Sequence, residues 1–242
     1  MAADQVVDPA RLPRWPVLLA LIALVASAFA VPWNHDEGQY VAATALVGRG
    51  LIPFRDFAYL QTPLQPFILA PLELAMPGWL YLGSRLANAA AVAVALMLLG
   101  RTAAVLAGDR RAGIAAVLLA LVTDSVLFAG SVARNDALPF LFLVIGLERL
   151  YAVKDVGAGR AFIAGLAVAA AASTKISYAF PTAAIALQAA WACRRGDRPA
   201  LALLAGSALA TIPTLILFLL APAQFLFGSC ITAWTRSRPG RN

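Results

Sequence analysis

Charge is scarce in this chain. Only 13% of its 242 residues are Asp, Glu, Lys or Arg, against about 25% in an ordinary globular domain. Charged side chains keep a folded surface in water, so the shortage excludes a soluble enzyme, a disordered chain and a coiled coil. Histidine is reduced to one residue, His35. No second ligand lies near it in sequence, so no zinc site is specified and His35 reads as an interfacial side chain. The two cysteines, Cys193 and Cys230, stand far apart, with neither metal-type spacing nor a disulfide framework. Lysine is nearly missing too: of nineteen basic residues only Lys154 and Lys175 are not arginine.

What fills the chain instead is apolar. Hydrophobic residues make up 62% of it and the mean hydropathy is +0.80. No single soluble core of this size hides so much apolar surface, so the sequence reads as an integral membrane protein. A membrane-crossing helix needs about 20 residues, so the length admits roughly seven spans with short loops. The net charge of +7 and the pI near 10.1 would suggest nucleic acid as the partner of a soluble protein. Here they read as positive-inside loop bias, with no nucleic-acid partner.

The expected fold is all-α, a polytopic membrane helix bundle forming one membrane domain over residues 1–242. Residues 1–16 are read as a cytoplasmic N-terminus and 17–33 as the first span. Its apolar run from Val17 to Val31 also resembles a signal peptide, with Ala28-Phe29-Ala30 as the cleavage site. Residues 34–80 are read as an external segment holding five prolines and apolar stretches such as Phe67-Ile68-Leu69-Ala70. Such a segment lies in the membrane interface as juxtamembrane helices. Six further spans over 81–221 follow from the runs Leu82–Gly100, Ala112–Gly130, Ala137–Val153, Ala161–Ala172, Tyr178–Ala192 and Ala200–Ala221. Residues 222–242 are read as an external tail. Every compact cation cluster then falls inside: Arg11 with Arg14, Arg101 with Arg110 and Arg111, Arg149 with Lys154 and Arg160, and Arg194 with Arg195 and Arg198. The expected location is the inner (plasma) membrane.

The same topology gathers polar residues on the external side. Asn34-His35-Asp36-Glu37 opens the first external segment, Arg134-Asn135-Asp136 forms a short loop, and Thr174-Lys175 makes a turn. Charge near the membrane is expensive and usually faces a cavity or a partner. Structural readings compete at each place. Asn34 and Glu37 fit a capping box for a helix from His35 to about Val47, with Gly48 or Gly50 as its stop. Asp36 in the first turn favours the helix dipole. Arg134 and Asp136 neutralise each other, Lys175 snorkels to headgroups, and Asp124 reads as a buried hydrogen-bonding partner.

Read in order, these residues resemble the polytopic glycosyltransferases of the GT-C type, including protein O-mannosyltransferases and lipid A aminoarabinose transferases (glycosyltransferase family 39-like). Asp36-Glu37-Gly38-Gln39-Tyr40 matches the family's Asp-Glu signature after the first span. Gly50-Leu51-Ile52-Pro53-Phe54-Arg55-Asp56-Phe57 is similar to its Gly-x-x-Pro-Tyr-x-Asp-Phe region. Thr62-Pro63-Leu64, Arg85-Leu86, Asp136 and Thr174-Lys175 follow in family order. The chain departs from the aminoarabinose transferases at Thr62-Pro63, where Lys-Pro is typical. It also stops at Asn242 where members usually continue, so it is expected to represent an N-terminal module.

The resemblance implies transfer of a sugar from a polyprenyl-phosphate donor to a glycan, lipid or protein acceptor at the external face. Asp36, Glu37 and Asp136 are the implied catalytic carboxylates. Asp36 is the base, and Glu37 or Asp136 orients the acceptor or raises the pKa of that base. Arg85, Lys175 and Arg134 are the implied cations for the lipid phosphate, with Tyr40, Arg55 and Asp56 as further substrate-side residues. One base and direct displacement imply inversion at the anomeric carbon. Tyr59, Phe67, Trp79 and Tyr81 would line a side entrance for the prenyl chain. No cofactor is implied, and the external acids specify no ligand set for a divalent cation. Two other readings stand beside this one: a small transporter or flippase, which should show inverted repeats, and a truncated, inactive lipid-binding module.

Overall fold

The computed structural model describes residues 12–76, 78–153 and 155–231. Among them there is no strand, only one isolated bridge between Pro53 and Phe57. The chain is a bundle of helices. The first, α1 (Trp15–Ala30), is followed by a hairpin of two shorter helices, α2 (Glu37–Gly48) and α3 (Leu64–Ala75). Next come the long α4 (Leu80–Ala107), α5 (Arg110–Leu121), α6 (Asp124–Ser131) and α7 (Ala137–Tyr151). The bundle is completed by α8 (Ala158–Thr174), a single 3-10 turn at Ile176–Tyr178 leading into α9 (Ala179–Cys193), α10 (Arg198–Leu220) and the short α11 (Pro222–Leu226).

Three stretches are long and apolar enough to cross a membrane: Leu80–Ala107, Ile176–Cys193 and Arg198–Leu220. The pair α5 and α6 makes a fourth if counted as one broken span. The run Ala112–Gly130, expected to be a single span, bends by 70° between these two helices. The break has a local cause. Thr123 takes an extended conformation (φ −79°, ψ 119°) as N-cap of α6, with Asp124 in the first turn of the new helix. Asp124 itself is exposed, not the buried hydrogen-bonding partner the sequence suggested. Helices α1 and α8, at 16 and 17 residues, are apolar but shorter than a span.

Alanine and glycine set the packing distances. The main core joins Ala20 and Leu24 of α1 to Ala89, Val92 and Leu96 of α4, with Val117 of α5 and Leu138 of α7. Helices α8 and α10 cross at Gly165 and Gly206. A Cβ on either glycine would run into the carbonyl of Leu203 or Phe162 on the facing helix, so only hydrogen fits there. Dispersion at this backbone-to-backbone distance is what holds small-residue crossings together.

At one end of the bundle, Glu148 of α7 is only 1% exposed. Three guanidiniums surround it: Arg101 of α4 at 3.4 Å, Arg149 at 3.4 Å and Arg160 of α8 at 3.6 Å. The described residues of this end carry nine arginines against four acids: Arg14, Arg101, Arg110, Arg111, Arg149, Arg160, Arg194, Arg195 and Arg198 against Asp109, Glu148, Asp155 and Asp197. The opposite end, holding residues 34–85 and 132–136 with Lys175, carries five cations and five acids.

Candidate functional site

The site sits at the balanced end, where α1 hands over to α2. Glu37 opens α2, and its carboxylate reaches back to accept the Asn34 N–H at 2.8 Å, while the Asn34 side chain accepts the Asp36 N–H at 3.0 Å. Half of the expected capping box is therefore present, Glu37 reaching back to Asn34. The helix begins at Glu37 rather than His35, however, and its N-cap is Asp36, which makes no side-chain cap bond. The same carboxylate does much more. Arg85, on the second turn of α4, grips it with a two-pronged fork, Nε at 2.8 Å and Nη2 at 2.7 Å. The Tyr81 hydroxyl donates to it at 3.1 Å, and the backbone N–H of Ala133 at 2.5 Å.

Arg85 is equally committed. Beyond Glu37, Nη1 donates to the carbonyls of Ala28 and Val31, and Nη2 to that of Pro32, at 2.7–3.1 Å. The Tyr81 ring lies 4.7 Å from the guanidinium carbon, a further favourable contact for the cation. All five N–H groups of an arginine are thus engaged. The sequence suggested Arg85 as a grip for lipid phosphate, yet here it ties the C-terminus of α1 to the N-terminus of α2. Both residues are buried, Glu37 at 0% and Arg85 at 3% exposure. Burial pushes the Glu37 carboxyl up, but hydrogen bonds from Arg85, Ala133 and Asn34 outweigh it and hold it below its ordinary value.

The Ala133 bond anchors the next layer, the loop 132–136 between α6 and α7. Asn88 of α4 donates to the carbonyls of Val132 (2.7 Å) and Arg134 (2.9 Å), and Gln65 of α3 reaches the Arg134 carbonyl at 3.1 Å. The Asn135 amide bonds the Thr174 carbonyl at the end of α8. Four helices therefore fix a five-residue loop, and its charged side chains point away from that grip. Arg134 lies 3.2 Å from Asp36 and makes a charge contact of 3.4 Å with Asp136. Lys175 pairs with the other oxygen of Asp136. The outcome is a row of alternating sign, Asp36–Arg134–Asp136–Lys175, with each side chain between 22% and 32% exposed. This is a partly dry surface, where charge interactions are stronger than in bulk water.

Six of the residues singled out from sequence therefore share one site: Asp36, Glu37, Arg85, Arg134, Asp136 and Lys175. Three others belong to a neighbouring feature. Tyr40 is buried in a cluster with Phe54, Tyr59, Leu217 and Phe225. Arg55 and Asp56 pair with each other beside a groove of about 470 Å³ that Phe57, Gln224 and Phe227 also line. Hydrogen bonds from Arg55 and from the Ile52 N–H hold the exposed Asp56 carboxyl below its ordinary value. Of the expected prenyl entrance, Phe67 and Trp79 are exposed, whereas Tyr59 is buried and Tyr81 faces Glu37. His35 is exposed beside Trp33. Among the described residues no three His, Cys, Asp or Glu side chains gather as metal ligands. Comparison with known proteins finds no matching family model, no matching curated protein and no matching solved structure.

Sequence reading passed over Gln65 and Asn88, which hold the 132–136 loop. One signal was available: amides at membrane depth rarely lie idle, and Gln65 and Asn88 interrupt runs that are otherwise apolar.

Proposed function

We propose that this chain transfers a sugar from a polyprenyl-phosphate donor onto an acceptor hydroxyl or amine, using the face that carries Asp36. The observation behind the reading is the charged row: a partly accessible carboxylate, Asp36, paired with Arg134, which shares Asp136 with a second cation, Lys175. The acceptor oxygen or nitrogen bonds to the anomeric carbon as the bond from that carbon to the phosphate oxygen breaks, and its proton passes to Asp36. The prenyl phosphate departs as an anion. Lys175 and Arg134 trade a carboxylate for that phosphate. Arg85 and Glu37 act as positioning residues, since their own bonds are already satisfied. Displacement from one side gives inversion.

The proposal includes a topology. In it, the three full-length spans and the α5–α6 pair cross together with the shorter α1, α7 and α8, seven crossings in all. The 15–17 residues of these shorter helices reach across with their flanking turns. The arginine-rich end lies in the cytoplasm, as the positive-inside rule requires. That places Asp36 on the external side of an inner membrane.

Asp36→Asn in the full chain tests the chemistry. With a polyprenyl-phosphate sugar as probe, transfer should fall by about 10²–10⁴-fold, the usual worth of a general base. Near-normal turnover removes Asp36 from that role. A wild-type chain that transfers no sugar from such probes refutes the reading altogether.

A further inference from the structure

The arginine-rich end holds a second feature that the sugar-transfer reading does not use. Between α1 and α4 lies a groove of about 560 Å³, walled by Leu12, Pro13, Val17, Leu18, Met97 and Leu98. Among the described residues, its only charged lining side chains are Arg14 and Arg101. Arg14 is exposed at the start of α1, with no ion pair or hydrogen bond from its side chain to any described residue. Arg101 spends one nitrogen on Glu148 at 3.4 Å, while its Nε is buried without a hydrogen-bond partner.

Two electrostatic terms favour an anion here. Two guanidiniums face one opening, and a single buried carboxylate, Glu148, is shared among three arginines, so the surroundings keep a positive excess. The N-terminus of α1 adds its partial positive charge at Arg14. The remaining walls are purely apolar. Leu18 (54% exposed) and Met97 (44% exposed) leave the groove open along its apolar side.

We infer that this groove binds an anionic phospholipid of the adjoining leaflet. Its phosphodiester sits between Arg14 and Arg101, and one acyl chain runs along Val17, Leu18, Met97 and Leu98. A zwitterionic headgroup would bring an ammonium against the arginines, so charge complementarity selects the anionic class. Each arginine near a membrane surface contributes about a fivefold gain toward an anionic lipid.

The test is native mass spectrometry of the purified full chain with phosphatidylglycerol or phosphatidylcholine added to the detergent. Phosphatidylglycerol should be retained in preference. Arg14→Gln, a change at an exposed side chain, should weaken its retention about fivefold. Met97→Trp, which fills the groove and leaves the charge alone, should lower it as well. Arg195→Gln, at the same end but outside the groove, should retain the lipid like the wild type. Equal retention of the two lipids overturns the inference. So does undiminished binding by Arg14→Gln or Met97→Trp, or a loss in Arg195→Gln as large as in Arg14→Gln.

Discussion

Removing the Glu37 carboxylate should cost more than any other single truncation at the site. With Glu37→Ala, Arg85 keeps its bonds to Ala28, Val31 and Pro32 but loses both prongs of the fork, at 3% exposure. The N–H groups of Asn34 and Ala133 and the Tyr81 hydroxyl lose their acceptor together. Breaking one side of a buried ion pair costs about 3–5 kcal/mol, because the other charge is left uncompensated. At about 2–4 °C per kcal/mol for a chain of this length, the midpoint of thermal unfolding should fall by roughly 10 °C. Circular dichroism in mild detergent measures it. The double variant Glu37→Leu/Arg85→Met removes both charges and should be more stable than the summed single losses imply, with a coupling of about 1.5–3 kcal/mol. A Glu37→Ala protein within about 0.5 kcal/mol of wild type, or strictly additive single changes, would refute the clamp.

The same carboxylate sets a pH response. Its pKa is lower folded than unfolded, so its contribution is complete above the ordinary value of 4.5 and is lost as pH falls from there through the folded value. Unfolding midpoints measured across that acid range should drop in the wild type, and Glu37→Gln should remove this part of the slope. At the α8–α10 crossing, Gly165→Ala should cost about 1–3 kcal/mol by overpacking, read as a lowered denaturation midpoint. The buried Tyr59 hydroxyl has no hydrogen-bond partner among the described residues, so Tyr59→Phe should leave stability unchanged or raise it by about 1 kcal/mol. For the topology, a cysteine at exposed Leu51 should react with an impermeant thiol reagent from outside intact cells, whereas one at Arg195 should react only after permeabilisation.

Helix positions were legible because apolar run length is itself the physical signal: most expected spans have a helix at their centre. The bond between Glu37 and Asn34 was legible because the two are three residues apart, whereas the N-cap itself fell on Asp36, two residues later than expected. The Arg85–Glu37 pair was not legible because the two residues lie 48 positions apart, and nothing local marks an arginine whose hydrogen bonds are spent within the fold. The break at Thr123 was hidden inside an apolar run whose composition suits a straight helix equally well. The Glu148 hub escaped notice because Arg101, Glu148 and Arg160 meet only once α4, α7 and α8 have packed.

The row Asp36–Arg134–Asp136–Lys175 behaves like an interlock. Each inner member is shared, so no pairing changes alone. In the proposed transfer, an anion that drew Lys175 and Arg134 away would release both carboxylates of the row together. The shared pairing therefore links Asp36 to Lys175 although the two ends form no ion pair of their own.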